Sequence, residues 1–131
     1  MADHIKRLFP TGLGFSQAVI ARGDRHIFLA GQCAMDRQGR LVGEGDLGAQ
    51  TEQVMQNIEA GLKEAGASFD DVVPRTIYVV DYDPSKREIM QAVRGRYIPA
   101  EGGPASTLIG VSGLVHDAFL VEIEVQAIVR D

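Results

Sequence analysis

The sequence predicts an α+β fold: a mixed β-sheet with two helices on one face, built as a single domain over residues 1–131. Three observations predict it. Strand-like and helix-like segments follow one another in the order strands, helix, strand, helix, strands. Two segments carry the apolar period and the end signals of helices, and two helices can cover only one face of a five- or six-stranded sheet. The strands containing Thr76-Ile77-Tyr78-Val79-Val80 and Leu108-Ile109-Gly110-Val111 carry apolar groups on both faces. A lone copy would leave a large apolar patch wet, so closed symmetric self-association is expected.

Each element has its own signal. Residues 17–21 and 25–31 read as two strands, with Gly23-Asp24 as a hairpin turn between them. Asp36-Arg37-Gln38-Gly39-Arg40 is turn chemistry, and 34–46 reads as an exposed loop. A helix starts after Asp46, a good N-cap, and ends at Gly66, a good C′ residue. Leu47, Thr51, Val54, Ile58, Leu62 and Ala65 give it one apolar face. Residues 74–81 read as a strand. Asp83-Pro84 then supplies an N-cap and a proline at the first helical position. Ile89, Met90, Val93 and Tyr97 make the inner face of this second helix, and Pro99 with Gly102-Gly103-Pro104 stops it. Residues 105–112 and 119–129 read as the last strands.

Bulk properties narrow the function classes. The chain is 45% hydrophobic and 24% charged, the balance of an ordinary globular domain. Its apolar runs are far shorter than the ~20 residues that span a bilayer, so no membrane association is expected. Met1-Ala2-Asp3-His4 has neither a basic nor an apolar region of the kind that opens a signal peptide. Cys33 is the single cysteine, which excludes an internal disulfide and fits a cytoplasmic location. A net charge of −5 argues against nucleic acid as a partner, although Arg87, Arg94 and Arg96 leave room for a local basic patch. Gly12-Leu13-Gly14 lacks the remaining glycine and the acidic partner of a dinucleotide loop. His4, His26 and His116 have no metal-ligand spacing and read as surface or packing residues. Cys33 reads as a structural thiol. No cofactor or metal is expected.

The last strand carries the most suggestive pattern. Period two puts Leu120, Glu122, Glu124, Gln126 and Ile128 on one face and Val121, Ile123, Val125, Ala127 and Val129 on the other. The second set is core. The first is a carboxylate row that reads either as a solvated or interface-lining face, or as the source of a carboxylate that orients a water.

A set of landmarks runs through the chain in order: Gly14-Phe15-Ser16-Gln17-Ala18-Val19, Leu29-Ala30-Gly31-Gln32, Gln50-Thr51, Asn57-Ile58, Ala65-Gly66-Ala67-Ser68, Asp71-Val72-Val73, Tyr78-Val79-Val80-Asp81, Gly103-Pro104-Ala105-Ser106-Thr107 and Val121-Glu122-Ile123-Glu124. Together they closely resemble the RidA/YjgF family, small trimeric proteins whose best understood members hydrolyse reactive imines. The resemblance implies a chorismate-mutase-like homotrimer with small-molecule pockets between neighbouring subunits. It also implies a hydrolase that deaminates a small imine or enamine to a carbonyl compound and ammonia.

The same resemblance assigns site residues, with departures. The family's Pro-Ala pair is followed by an arginine that holds the substrate carboxylate. Here the position is Ser106, followed by Thr107, so action on 2-iminobutanoate or 2-iminopropanoate is expected to be weak. Phe15 takes the place of a pocket tyrosine, and Ala30-Gly31-Gln32 that of Ser-Gly-Gln. Gln91 falls near a family asparagine. Arg94 reads either as a replacement cation or as an exposed helix charge. The family's strand glutamate falls on Gln126 when counted back from Ala127-Ile128-Val129, and on Glu124 when counted forward from Val121; Glu124 is preferred because glutamine cannot act as a base. Binding of a small metabolite in the same pocket without catalysis is the rival from another class. Ribonuclease activity, attributed to some relatives, is disfavoured by the acidic charge and the lack of a histidine pair.

Overall fold

A computed structural model describes residues 3–131. It contains strands β1 (Ile5–Pro10), β2 (Ser16–Ala21), β3 (Arg25–Phe28), β4 (Val72–Val80), β5 (Ala105–Val111) and β6 (Val121–Val129), and helices α1 (Leu47–Glu64) and α2 (Pro84–Arg94). The strands form one six-stranded sheet in the order β1-β2-β5-β4-β6-β3. β4 and β5 are parallel, and β4–β6, β3–β6 and β1–β2 are antiparallel, so the sheet is mixed as expected.

The helices form where their end signals say. The Asp46 carboxylate accepts from the Ala49 N–H at 3.0 Å, and Gly66 takes the left-handed conformation beyond the last turn (φ +80°). Asp83 caps α2 by accepting from the Ser85 N–H at 2.8 Å, with Pro84 at the first position. Val54, Met55, Ile58 and Leu62 of α1 and Met90 of α2 pack on Ile77, Val79, Val121, Ile123, Val125 and Ala127 of the sheet. Both helices therefore cover one face, and each fully buried aliphatic side chain contributes about 1.5–3 kcal/mol. Gln50 is also buried but fully paired, donating to Gly43 and Ala118 carbonyls and accepting from the Leu120 N–H.

Three expectations need correction. β2 and β3 are not a hairpin: β2 pairs with β1 and β5, and β3 pairs with β6 at the far edge. The Gly23 turn carries the chain between them past the end of β6, where a side chain at Gly23 would strike Ile128 and Val129. β1 went unread because Ile5-Lys6-Arg7-Leu8-Phe9-Pro10 is an edge strand closed by proline, with no clean alternation. Ile89 is 43% exposed rather than on the inner face of α2. Met90, Val93 and Arg94, three and four residues apart, take that face instead.

Candidate functional site

Two strand irregularities shape the chemistry-bearing residues. On β4, Val72 pairs with Ala127 and Arg75 with Val125, so β4 holds one extra residue and bulges near Pro74. The bulge resets the alternation and turns Arg75 to the same covered side as Ile77 and Val79. After β3, Phe28 pairs with Gln126 but Gln32 bridges to Ile123, which again leaves one extra residue, around Leu29-Ala30-Gly31. There a side chain in place of Gly31 would collide with the Glu122 carboxylate.

The first bulge builds a cavity of about 330 Å³ between the start of β4 and β5, helix α2 and the loop before β2. Its walls are Leu13, Phe15, Ile77, Tyr82 and Leu108, and its polar groups are Arg75, Arg87, Gln91, Arg94 and Ser106. The loop is fixed by Gly14 N–H donating to Ala100 O (3.0 Å) and Ser16 Oγ donating to Gly103 O (3.1 Å). Gly103 has φ +102°, and a Cβ there would run into the Gly14 carbonyl.

Arg75 and Ser106 are register partners on adjacent parallel strands. Arg75 Nε donates to Ser106 Oγ at 2.9 Å and Nη2 to the Gly14 carbonyl at 3.2 Å. Arg75 is 4% exposed and Arg94 7%. Arg75 Nη1 and Arg94 Nε are buried with no hydrogen-bond partner. Among the described residues no acidic one lines the cavity. Burial, then the neighbouring charge of Arg94, lowers Arg75 to about 9; burial, then Arg87, lowers Arg94 to about 10. Both groups stay cationic at neutral pH. Buried donors without partners are costly, and an anion would satisfy them.

Of the residues singled out from the sequence, Phe15, Gln91, Arg94 and Ser106 meet in this cavity. Arg94 is buried, not an exposed helix charge. Thr107 follows Ser106 onto the opposite, open face and is exposed. Glu124 and Gln126 are exposed on that open face too, and Glu124 accepts from the Tyr78 hydroxyl at 2.8 Å. Ala30 and Gly31 sit at the second bulge, Gly31 against Glu122, whose Oε1 accepts from the Cys33 thiol at 3.2 Å. Burial and then Glu122 push that thiol up to about 12. Arg75 is the residue sequence reasoning misses, and Glu122 is the member of the carboxylate row it does not prefer. The available signal for Arg75 was its period-two spacing with Ile77 and Val79. Arg96 leaves the expected basic patch by pairing with Glu52 at 3.2 Å. The His4 side chain is largely covered, with Nε2 at 2.6 Å from the Ile128 carbonyl. No group of His, Cys, Asp and Glu among the described residues is arranged to hold a metal ion, and no helix among them is long and apolar enough to cross a membrane.

Comparison with known proteins gives a consistent answer. The family model described as "Endoribonuclease L-PSP" matches residues 6–129. A RutC family protein of Synechocystis sp. is 35% identical over 115 residues, covering 87% of this chain and 85% of that one. A RutC family protein of Pyrococcus abyssi is 39% identical over 110 residues, covering 84% and 82%. Among solved structures, a Rid-family protein of unknown function from Yersinia pestis, YyfB, superposes with TM-score 0.90 at 35% identity, over 96% of this chain and 99% of that chain. RidA from an Antarctic Psychrobacter superposes with TM-score 0.71 at 29% identity, over 87% of each chain.

Proposed function

The chain belongs to the Rid (YjgF) family, and from that premise we propose that it deaminates a small carboxylate-bearing imine or enamine. The observation that carries the reading is the cavity in which Arg75 and Arg94 present buried, unpartnered N–H groups and no acid offsets them. Ser106 removes the cation from β5, and Arg75 restores one from the neighbouring strand at the same register. An arginine pair can hold a carboxylate through charge-assisted hydrogen bonds, which fixes the reacting carbon in place. Hydrolysis then needs a carboxylate that takes a proton from water as the water oxygen bonds to the imine carbon. The nitrogen takes up protons and leaves as ammonia.

Glu124 is the proposed base, with Glu122 as the competing assignment because it meets Gly31. Either lies on the face of the sheet opposite the arginines, so one copy cannot bring both to one substrate. The reading therefore includes a closed homotrimer, in which a neighbouring copy presents its open face to the cavity. Ala30, Thr107 and Gln126 would then line the same interfacial site. A second reading draws on the same separation: binding of a small carboxylate without chemistry needs the cavity alone.

Ammonia release from 2-iminobutanoate generated in situ tests the choice. Arg75→Gln should lower kcat/KM by about 10²-fold through loss of charged hydrogen bonds, and Glu124→Gln should lower kcat by roughly 10²- to 10⁴-fold. Loss in Glu122→Gln with Glu124→Gln active moves the base to Glu122. Wild-type protein that binds 2-oxobutanoate but releases no ammonia faster than buffer supports the binding protein instead.

A further inference from the structure

The cavity holds more positive charge than one carboxylate can use. Arg75, Arg94 and Arg87 all line it, and no acidic side chain does. The three differ in depth. Arg75 and Arg94 are buried, whereas Arg87 is exposed at the mouth. Their order follows from the helix. Arg87, Gln91 and Arg94 are spaced four and then three residues apart, so α2 turns all three toward β4 and β5. Arg87 thus stands about 10 Å along the helix axis from Arg94, at 1.5 Å per residue. In the described residues Arg87 has no salt bridge, and neither do Arg75 and Arg94. The wall between the two ends is Phe15, Ile77, Tyr82 and Leu108, with the Gln91 amide. Such a lining suits a short carbon chain with a charge at each end better than one compact anion.

We propose that the substrate is a dicarboxylate, the imine of an acidic amino acid or a close relative, with one carboxylate on Arg75 and Arg94 and the second on Arg87. This rests on the carboxylate-holding role given to the cavity above. Chemistry is unchanged: water adds to the C=N carbon, that bond breaks, and ammonia leaves a 2-oxo dicarboxylate.

Titration calorimetry on the wild-type protein in its native assembly tests it, with 2-oxoglutarate, 2-oxobutanoate and inorganic phosphate as probes. 2-Oxoglutarate should bind at least ~10-fold more tightly than 2-oxobutanoate, the worth of one added charged hydrogen-bonding contact. Arg87→Gln, at an exposed position that leaves the core intact, should bring that ratio close to one. A wild-type ratio near one, or a ratio that survives Arg87→Gln, overturns the dicarboxylate assignment and leaves the monocarboxylate reading standing. Phosphate binding as tightly as 2-oxoglutarate overturns it in favour of a single compact anion. Failure of both 2-oxo acids to bind removes this inference and the carboxylate-holding role together.

Discussion

The two faces of the sheet use charge in opposite ways. On the helix-covered face Arg75 and Arg94 are buried cations, each with one unpartnered nitrogen, and they line one cavity with Arg87. On the open face Glu124 and Gln126 are exposed, and Glu122 is half-buried against Gly31 and Cys33. Carboxylates on a wet face cost little, whereas buried guanidinium nitrogens left without a partner cost stability that a bound anion would offset. On the proposed reading the covered face binds the substrate, and the open face is where a second copy would add a base.

The sharpest way to break this contrast is to change adjacent residues of β6. Ile123 has no exposed surface, while Glu124 is solvent-facing. Ile123→Ala should lower the unfolding free energy by about 2–5 kcal/mol. Glu124→Ala should change it by no more than about 0.5 kcal/mol. Denaturant titration reads both, and a comparable loss at Glu124 would make its carboxylate a structural contact rather than a free base.

Next in size is the separation of stability from binding at Arg75. Arg75→Met removes a buried charge and fills its space with apolar atoms, so unfolding free energy should hold or rise by up to ~2 kcal/mol. Binding of 2-oxo acids should meanwhile fall by about 10²-fold. A large loss of stability would instead make Arg75 a structural tie between Ser106 and Gly14.

The smallest effect concerns the Glu122 cluster. The Cys33 thiol is held protonated to about pH 12 by burial first and by Glu122 second. Its alkylation by iodoacetamide should stay slow at pH 8–9, where an ordinary thiol of pKa about 8.5 reacts readily. The sign for stability follows: the folded value lies above the unfolded one, so this group's contribution is complete below about pH 9 and is lost as pH rises toward 12. Glu122→Gln should speed alkylation at pH 9, and an unchanged rate would leave burial as the whole cause.

Much of this was readable in the chain. The caps at Asp46, Gly66 and Asp83 are local signals, and they placed both helices. The alternation of Val121, Ile123, Val125 and Ala127 is uninterrupted, and it placed β6. The RidA/YjgF landmarks gave the family. What was hidden depends on contacts distant in sequence. The one-residue bulge before Arg75 follows from β6 pairing, so the strand shows Arg75 in step with Ile77 and Val79 but not that the alternation is broken between Val72 and Arg75. Ser106 alone reads as a lost cation, because the arginine beside it comes from the next strand, thirty-one positions earlier in the chain. Glu122 was passed over for Glu124 because its contact with Gly31 depends on the bulge after β3. The Gly23 turn was misread because a turn sequence does not say which strand receives the chain.

The central claim is that Arg75 and Arg94 hold the substrate carboxylate in place of the missing β5 arginine. A crystal structure of the protein soaked with 2-oxobutanoate tests it most directly. The predicted result is a carboxylate within hydrogen-bond distance of Arg75 Nη1 and Arg94 Nε, with the 2-oxo carbon directed out of the cavity toward a neighbouring subunit's open face. A carboxylate bound at Gly31 and Glu122, with Arg75 Nη1 and Arg94 Nε still unpartnered, would contradict it.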